Sequence, residues 1–298
     1  MAQPRRLKKN AYIELSLTSP DKPVSSRTEA QAFFIQHGIL PRDLVFSKYP
    51  NGRIRLAVFM KSLRLAEKIN AGIKRVRRPL WRGSVRILEE EDWLHKWKED
   101  YHTHPVASRF MIVPSWEKEQ WVPQRRHPII LDPGSAFGSG MHESTKLALR
   151  LMEGLAGTFG DCLDAGAGTG VLAVAAHRLG AKHILGVESD PEAAKIASKN
   201  LKLNGCLRGK ILCRDIRKLK SGRAFDLICA NLWPKLLIAK NKKWPQLLHP
   251  KGHLIVSGIL RKDAEEFLKS FRDKKLRLMK KLMGKRWTAV LYGRAGLP

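Results

Sequence analysis

The residues whose types and spacing could do chemistry gather in Leu163-Asp164-Ala165-Gly166-Ala167-Gly168-Thr169-Gly170. A short candidate strand ends at Leu163, and Val171, Leu172, Val174, Ala175 and Leu179 then recur at helical spacing. Strand, glycine turn and helix are the setting in which such a run binds a ligand. Glycines take positive φ and let the backbone come close, and the helix start offers unpaired N–H groups. What is missing narrows the ligand. The dinucleotide pattern G-x-G-x-x-G would put its third glycine where Val171 stands, and no Lys-Ser or Lys-Thr follows the last glycine as a phosphate loop requires. Roughly 20 residues further on, His183-Ile184-Leu185-Gly186-Val187-Glu188 reads as the next strand, closing on a carboxylate placed to accept from both ribose hydroxyls. A nucleoside without a pyrophosphate satisfies these features better than a dinucleotide. The competing reading is a tight turn in an α/β domain with no ligand.

The order D-x-G-x-G-x-G, then a carboxylate, resembles the class I methyltransferases that use S-adenosylmethionine. Candidate cofactor contacts are Thr145, Asp164, Gly166, Gly168, Glu188, Asp215 and Asn231. Asp164 either bonds the ligand's ammonium or holds the glycine loop. Asp215 either meets the adenine amino group or caps at the surface. Thr145, in the first turn of a helix, either bonds a ligand carboxylate or caps that helix, as Ser144 could. The glycine-rich run Leu131-Asp132-Pro133-Gly134-Ser135-Ala136-Phe137-Gly138-Ser139-Gly140-Met141-His142 suits a lid, and His142 reads as a structural hydrogen-bonder rather than a base. Asn231-Leu232-Trp233-Pro234 is the methyl-acceptor candidate, with Asn231 catalytic. Displacement at a sulfonium needs a nitrogen lone pair, so an amine must first lose its proton. A neutral amide oxygen can orient the remaining N–H bonds, whereas a carboxylate would stabilise the ammonium. No metal site is expected: Cys162, Cys206, Cys213 and Cys229 form no C-x-x-C pair, and Cys162 and Cys229 read as apolar fillers of strands.

The elements that must position these residues fall into two halves. Strands at Tyr12–Leu17, Asp43–Lys48, Arg53–Phe59 and Gly83–Leu88, with helices at 27–36 and about 62–76, give βαββαβ, a ferredoxin-like pattern over residues 1–88. Residues 89–104 read as a linker helix carrying Trp93 and Trp97. Residues 105–298 alternate strand and helix. Helices are expected at 143–153, 170–179, 191–203, 235–248 and 261–272, and strands at 183–188, 210–213, 225–230 and 253–258, with a last hairpin of 276–283 and 287–292. This predicts a mostly parallel, Rossmann-like doubly wound sheet with an antiparallel pair at its edge. Asp164, Glu188, Asp215 and Asn231 then all fall at carboxyl ends of strands, where such sheets bind ligands.

Composition sets the partners. Lys and Arg number 56 against 27 Asp and Glu, a formal net charge of +29 that favours polyanions, nucleic acid first. Basic runs recur at Arg5–Lys9, Lys74–Arg78, Lys240–Lys243 and from Lys274 through Arg286. A 43% hydrophobic content supports a packed core, while no segment nears the roughly 18 apolar residues of a membrane span. The opening Met1-Ala2-Gln3-Pro4-Arg5-Arg6 carries no apolar run and reads as no secretory leader, so a cytoplasmic protein is expected.

Taken together, Pro114-Ser115-Trp116, the lid run from Leu131 to His142, Asp164–Gly170 and Glu91-Asp92-Trp93 resemble the methyltransferases that modify large-subunit ribosomal protein eleven. The resemblance implies an N-terminal domain that grips the substrate protein and a catalytic domain that methylates lysine ε-amines and the N-terminal α-amine. It places cofactor positions at Thr145, Gly166, Glu188 and Asn231. Two departures stand out: Glu188 where the family commonly has Asp, and Leu-Trp-Pro-Lys after Asn231. Trp233 resembles the N-P-P-aromatic motif of enzymes acting on nucleobase amines. Three readings follow: a ribosomal protein methyltransferase whose basic surface grips ribosomal RNA, a nucleic-acid base methyltransferase, and a non-catalytic RNA-binding protein with a retained cofactor pocket. Gly166→Arg is expected to abolish S-adenosylmethionine binding while the N-terminal half stays folded. Calorimetry checks this, and an unchanged affinity would remove the site from this loop.

Overall fold

The computed structural model describes residues 11–18, 44–48, 54–60, 67–69, 71, 82–89, 101–122, 125–134, 136–219 and 224–295. The chain divides into two compact units, Met1–Asp100 and Tyr101–Pro298. In the first, β1 (Ala11–Thr18), β2 (Leu44–Lys48), β3 (Ile54–Met60) and β4 (Arg82–Glu89) form one antiparallel sheet in the order β2-β3-β1-β4. That order is what βαββαβ winding produces, because each crossover helix skips one strand position. Of the two expected helices only residues 67–69 and 71 are described, and they are helical. The expected linker helix lies mostly outside the described residues. At its ends Glu89 closes β4 and 101–103 carry no helix.

The second unit begins with a small sheet of β5 (His104–Val106), β6 (Phe110–Pro114) and β7 (His127–Leu131), antiparallel then parallel. The alternating part follows as α1 (Glu143–Glu153), β8 (Asp161–Ala165), α2 (Val171–Arg178), β9 (His183–Glu188), α3 (Pro191–Leu203), β10 (Gly209–Cys213), β11 (Phe225–Asn231), α4 (Pro234–Ala239), α5 (Trp244–Leu247), β12 (Leu248–Leu260), α6 (Ala264–Ser270), β13 (Leu276–Met283) and β14 (Trp287–Arg294). Its seven strands run β10-β9-β8-β11-β12-β14-β13, parallel from β10 to β12, with β14 antiparallel to both neighbours. Strands buried on both faces read as apolar runs, and β11 does so from Leu227 to Ala230, while β8 is apolar at Cys162, Leu163 and Ala165 and carries the site's Asp164 between them. Cys162, Leu163 and Leu227 to Ala230 are all buried. One side of the core gathers Trp244, Phe267, Phe271 and Tyr292, the last three in successive ring contacts at 5.1 and 5.4 Å.

Three expectations are corrected. The single helix over 235–248 is broken into α4, a turn at Asn241–Lys243 and α5. Pro245 stands in the first turn of α5, where its ring and missing N–H stop a helix running through. The buried Trp244 Nε1–H instead reaches the Leu237 carbonyl at 3.2 Å. Strand β12 begins at Leu248 rather than 253 and passes through Pro250-Lys251-Gly252. A Cβ at Gly252 would lie 2.8 Å from the Phe225 carbonyl, so the close pairing with β11 admits only glycine there. The helix expected over 261–272 is a three-ten turn, Arg261–Asp263, followed by the shorter α6.

Helix α3 and its C-cap carry two buried asparagines, Asn200 and Asn204. Asn204 accepts from the Ile130 N–H at 2.9 Å and donates to the Ile130 carbonyl at 2.7 Å. Asn200 accepts from the Asp132 N–H at 2.9 Å and donates to the Thr169 carbonyl at 2.8 Å. The side chains act as a surrogate strand for the end of β7 and the loop beyond it. Asn204→Ala leaves a buried donor and acceptor of Ile130 unpaired and should cost about 2–5 kcal/mol. Urea unfolding with an unchanged slope and a lower midpoint is the expected result.

Candidate active site

Between β8 and α2 the chain turns through Gly166 (φ +78°), Gly168 (φ +54°) and Gly170 (φ +81°). Positive φ alone favours glycine, and close approach enforces it at the first two. A Cβ at Gly166 would lie 2.3 Å from Leu232 Cδ2, and one at Gly168 would lie 2.2 Å from the Phe137 carbonyl oxygen. The turn is thus gripped from one side by the residue after Asn231 and from the other by the lid.

Two carboxylates hold this turn. Asp164 is 1% exposed, and its Oδ2 accepts from the Ala173 N–H of α2 at 3.0 Å. Burial pushes its carboxyl well above the usual range, and Oδ1 has no hydrogen-bond partner among the described residues. Oδ2 is thus tied to the first turn of α2, just beyond the glycine loop. Glu188 closes β9, with Oε2 accepting from the Gly168 N–H at 2.9 Å and Oε1 from the N–H groups of Ser189 and Asp190 at 2.7 and 3.0 Å.

The lid is clipped along its length. The Phe137 carbonyl accepts from the Thr169 N–H at 2.9 Å, Thr169 Oγ1 donates to the Gly138 carbonyl at 2.7 Å, and the buried Tyr101 hydroxyl donates to the Ser139 carbonyl at 2.6 Å. Burial raises the Tyr101 phenol above its ordinary value. At the lid's far end His142 caps α1, its Nδ1 accepting from the Ser144 N–H at 3.3 Å. Its ring lies edge-on between Phe137 and Trp287, at 5.2 and 4.8 Å.

Opposite stands Asn231, at the end of β11. Its Nδ2 donates to Thr145 Oγ1 at 3.4 Å, which leaves Oδ1 as the atom not committed to Thr145. Thr145 is 1% exposed, and the first turn of α1 is tied to the sheet by Ser257 Oγ donating to the Ser144 carbonyl at 2.9 Å. Thr145, Asp164, Gly166, Gly168, Glu188 and Asn231 therefore converge at the carboxyl ends of β8, β9 and β11. Asp215 stands apart. It caps the turn Ile216–Lys218, and its oxygens are spent on the backbone and guanidinium of Arg217, which hold its carboxyl down to about 2. Surface capping is the arrangement observed.

Two site residues escaped the sequence reading. Asn200 bridges the lid entry and the glycine turn, and an asparagine pair four apart on an apolar helix face was the signal for it. Glu143 accepts from the N–H groups of Lys285, Arg286 and Trp287 at 2.6, 2.9 and 3.2 Å, and these lower its carboxyl. No local pattern announces that contact.

A turn with no room for side chains, a carboxylate fixed against it and no lysine for a pyrophosphate fit a nucleoside carrying a sulfonium. Fold and site together define a class I methyltransferase that uses S-adenosylmethionine. The family model described as Ribosomal protein L11 methyltransferase (PrmA) matches residues 38–294, and the chain belongs to that family. The ribosomal protein L11 methyltransferase of Heliobacterium modesticaldum is 30% identical over 265 residues, 86% of this chain and 83% of that protein. That of Macrococcus caseolyticus is 33% identical over 213 residues, 70% of this chain and 67% of that protein. The crystal structure of a ribosomal protein L11 methylase from Lactobacillus delbrueckii subsp. bulgaricus superposes with a TM-score of 0.59 at 31% identity, covering 65% of this chain and all of that one.

Burial holds the His142 imidazole below its ordinary value. The unfolded chain therefore takes up this proton first as the pH drops below about 6.5. The neutral ring's stabilisation is present above that pH and is lost as the pH falls towards the depressed folded value. His142→Asn keeps a capping acceptor and does not titrate. It is expected to flatten the pH dependence of the thermal midpoint between about pH 8 and about pH 5, measured by circular dichroism.

Proposed function

We propose that this chain methylates lysine ε-amines and/or the N-terminal α-amine of large-subunit ribosomal protein L11. Residues 1–88 would grip the substrate, 89–104 would link, and 105–298 would carry out the transfer. S-adenosylmethionine, when bound, supplies a methyl group on a sulfonium sulfur. Glu188 would receive the ribose hydroxyls, the backbone at Gly166 and Gly168 would admit the nucleoside closely, and the lid would exclude water. Asp164 would act chiefly by holding the turn and Thr145 by holding Asn231. Asp215 would reach the adenine amino group only by releasing Arg217.

The observation that carries this reading is Asn231, an amide rather than a carboxylate at the end of β11, with its nitrogen committed to Thr145. That pairing directs Oδ1 to accept an N–H of the incoming amine and so aims the nitrogen lone pair at the methyl carbon. The acceptor must arrive neutral, and desolvation lowers its pKa. Catalysis then rests on proximity and alignment. The +29 charge supports a second partner, ribosomal RNA beside the substrate, whose phosphates relieve repulsion between a basic enzyme and a basic substrate. The place of such work is the cytoplasm. No described helix is long and apolar enough to cross a membrane.

A second reading is favoured by one observation: Trp233, two residues past Asn231, is 71% exposed, as a ring that stacks on a nucleobase would be. Radiolabelled S-adenosylmethionine with ribosomal components separates the two. Label lost to protease and retained through nuclease supports the amine acceptor, and the reverse supports the base. For the amine acceptor, Asn231→Asp is expected to lower turnover about 100-fold at neutral pH and to move the pH profile upward, because a carboxylate favours the ammonium. An unshifted profile would remove Asn231 from the acceptor site.

A further inference from the structure

We infer that the β13–β14 hairpin is a docking surface for the phosphate backbone of single-stranded RNA. The inference rests on the RNA-bound reading of the basic surface given above and locates it. Between Lys274 and Trp287 the chain carries Lys274, Lys275, Arg277, Lys280, Lys281, Lys285 and Arg286 and no acid, and all seven cations are exposed. None takes part in an ion pair among the described residues. Strand β13 is the last of the seven-stranded sheet and is exposed along nearly its whole length, so its cations meet solvent rather than a neighbouring strand.

Lysines also guard sheet edges against strand addition, but one or two suffice for that. The opposite edge strand, β10, carries only Lys210. Moreover, β13 is already spoiled for strand addition by a bulge, Met279 being the extra residue between Leu278 and Lys280. An added peptide strand is therefore the poorer occupant. Nor are the cations gathered on one face against an apolar one, as a membrane-surface element requires. In the pairing with β14, Arg277 and Lys280 lie opposite Gly293 and Leu291, while Lys281 lies opposite Val290 on the other face. Exposed Leu278, Met279 and Met283 are interleaved with them. Charge at close intervals, mixed with apolar contacts, matches a polyanion that also presents flat bases.

The surface is held in place as well as charged. Glu143 takes the three N–H groups of the turn, and Arg261 pins it as well, its guanidinium Nη1 donating to the Gly284 carbonyl at 3.2 Å and its backbone N–H to the Arg286 carbonyl at 2.8 Å. Such a ribbon loses little freedom on binding.

The test is fluorescence anisotropy of the full chain with a labelled single-stranded RNA of about 16 nucleotides, between about 50 and about 200 mM salt. The triple variant Arg277→Gln, Lys280→Gln, Lys281→Gln is compared with Lys202→Gln, Arg208→Gln, Lys210→Gln, which removes the same charge from exposed positions elsewhere. The hairpin variant should lose about tenfold or more in affinity, and its salt slope should become shallower by about 2, three contacts at about 0.7 each. The control variant should bind as the parent does, and all three should bind S-adenosylmethionine equally by calorimetry. Equal loss in both variants, no loss in the hairpin variant, or displacement of the RNA by poly-glutamate or phosphatidylserine vesicles would overturn the inference. Absence of RNA binding by the parent would overturn the RNA-bound reading itself. The methyl-acceptor assignment is judged separately, by the protease and nuclease digests.

Discussion

The Phe137 carbonyl oxygen lies 2.2 Å from where a Cβ at Gly168 would stand, and that exclusion organises the site. With a side chain at residue 168 the lid could not close to this distance, and the Thr169 N–H, which now meets the Phe137 carbonyl, would lose its partner. A buried N–H without an acceptor costs more than the bond contributes. The lid and the cofactor turn are therefore one structure, each supplying the other's missing hydrogen bonds. Asn200 extends the same logic. Its amide satisfies the Asp132 N–H and the Thr169 carbonyl, the two ends of that assembly.

The three candidate carboxylates in the α/β half have three environments, and these separate their uses. Asp164 is buried with one backbone donor, so desolvation dominates and its acidity falls. Asp215 is half-buried at the surface and its oxygens are taken by Arg217, so its acidity rises. Glu188 lies between them, with Oε2 on the Gly168 N–H of the turn and Oε1 on the N–H groups of Ser189 and Asp190 just beyond β9.

Much of this was legible in the sequence because the signals were local. Helix α3 has Asp190 as its cap and Pro191 at its first position, and its ends fall at 191 and 203 as expected. Strand β9 likewise spans 183–188, and the antiparallel pair sits at the sheet edge. What was not legible depended on long-range pairing. Strand β7 contains Pro128 and is stabilised on one side by asparagines of α3, roughly 70 residues away in sequence. The clasp between Glu143 and the hairpin turn joins segments more distant still. Apolar periodicity carries no record of such bonds, and in α4 and α5 it was overridden by one proline.

The two departures from the family pattern are unequal in weight. Glu188, one methylene longer than the Asp that the resemblance leads one to expect, places Oε2 on the Gly168 N–H and Oε1 on those of Ser189 and Asp190. The position and chemistry of the carboxylate are kept, and only the stem changes. Trp233 places an exposed indole two residues past Asn231. Its Cα is fixed, because it precedes α4 and follows Leu232, whose side chain packs on Gly166 and whose carbonyl would lie 2.6 Å from a Cβ at Gly258. Its backbone is held on both sides before any partner arrives, while the ring in solvent keeps its rotamers until something covers it. What the ring touches is then decided by the acceptor, and a lysine stem, apolar along its length and cationic at its end, can lie against an indole as readily as a base can.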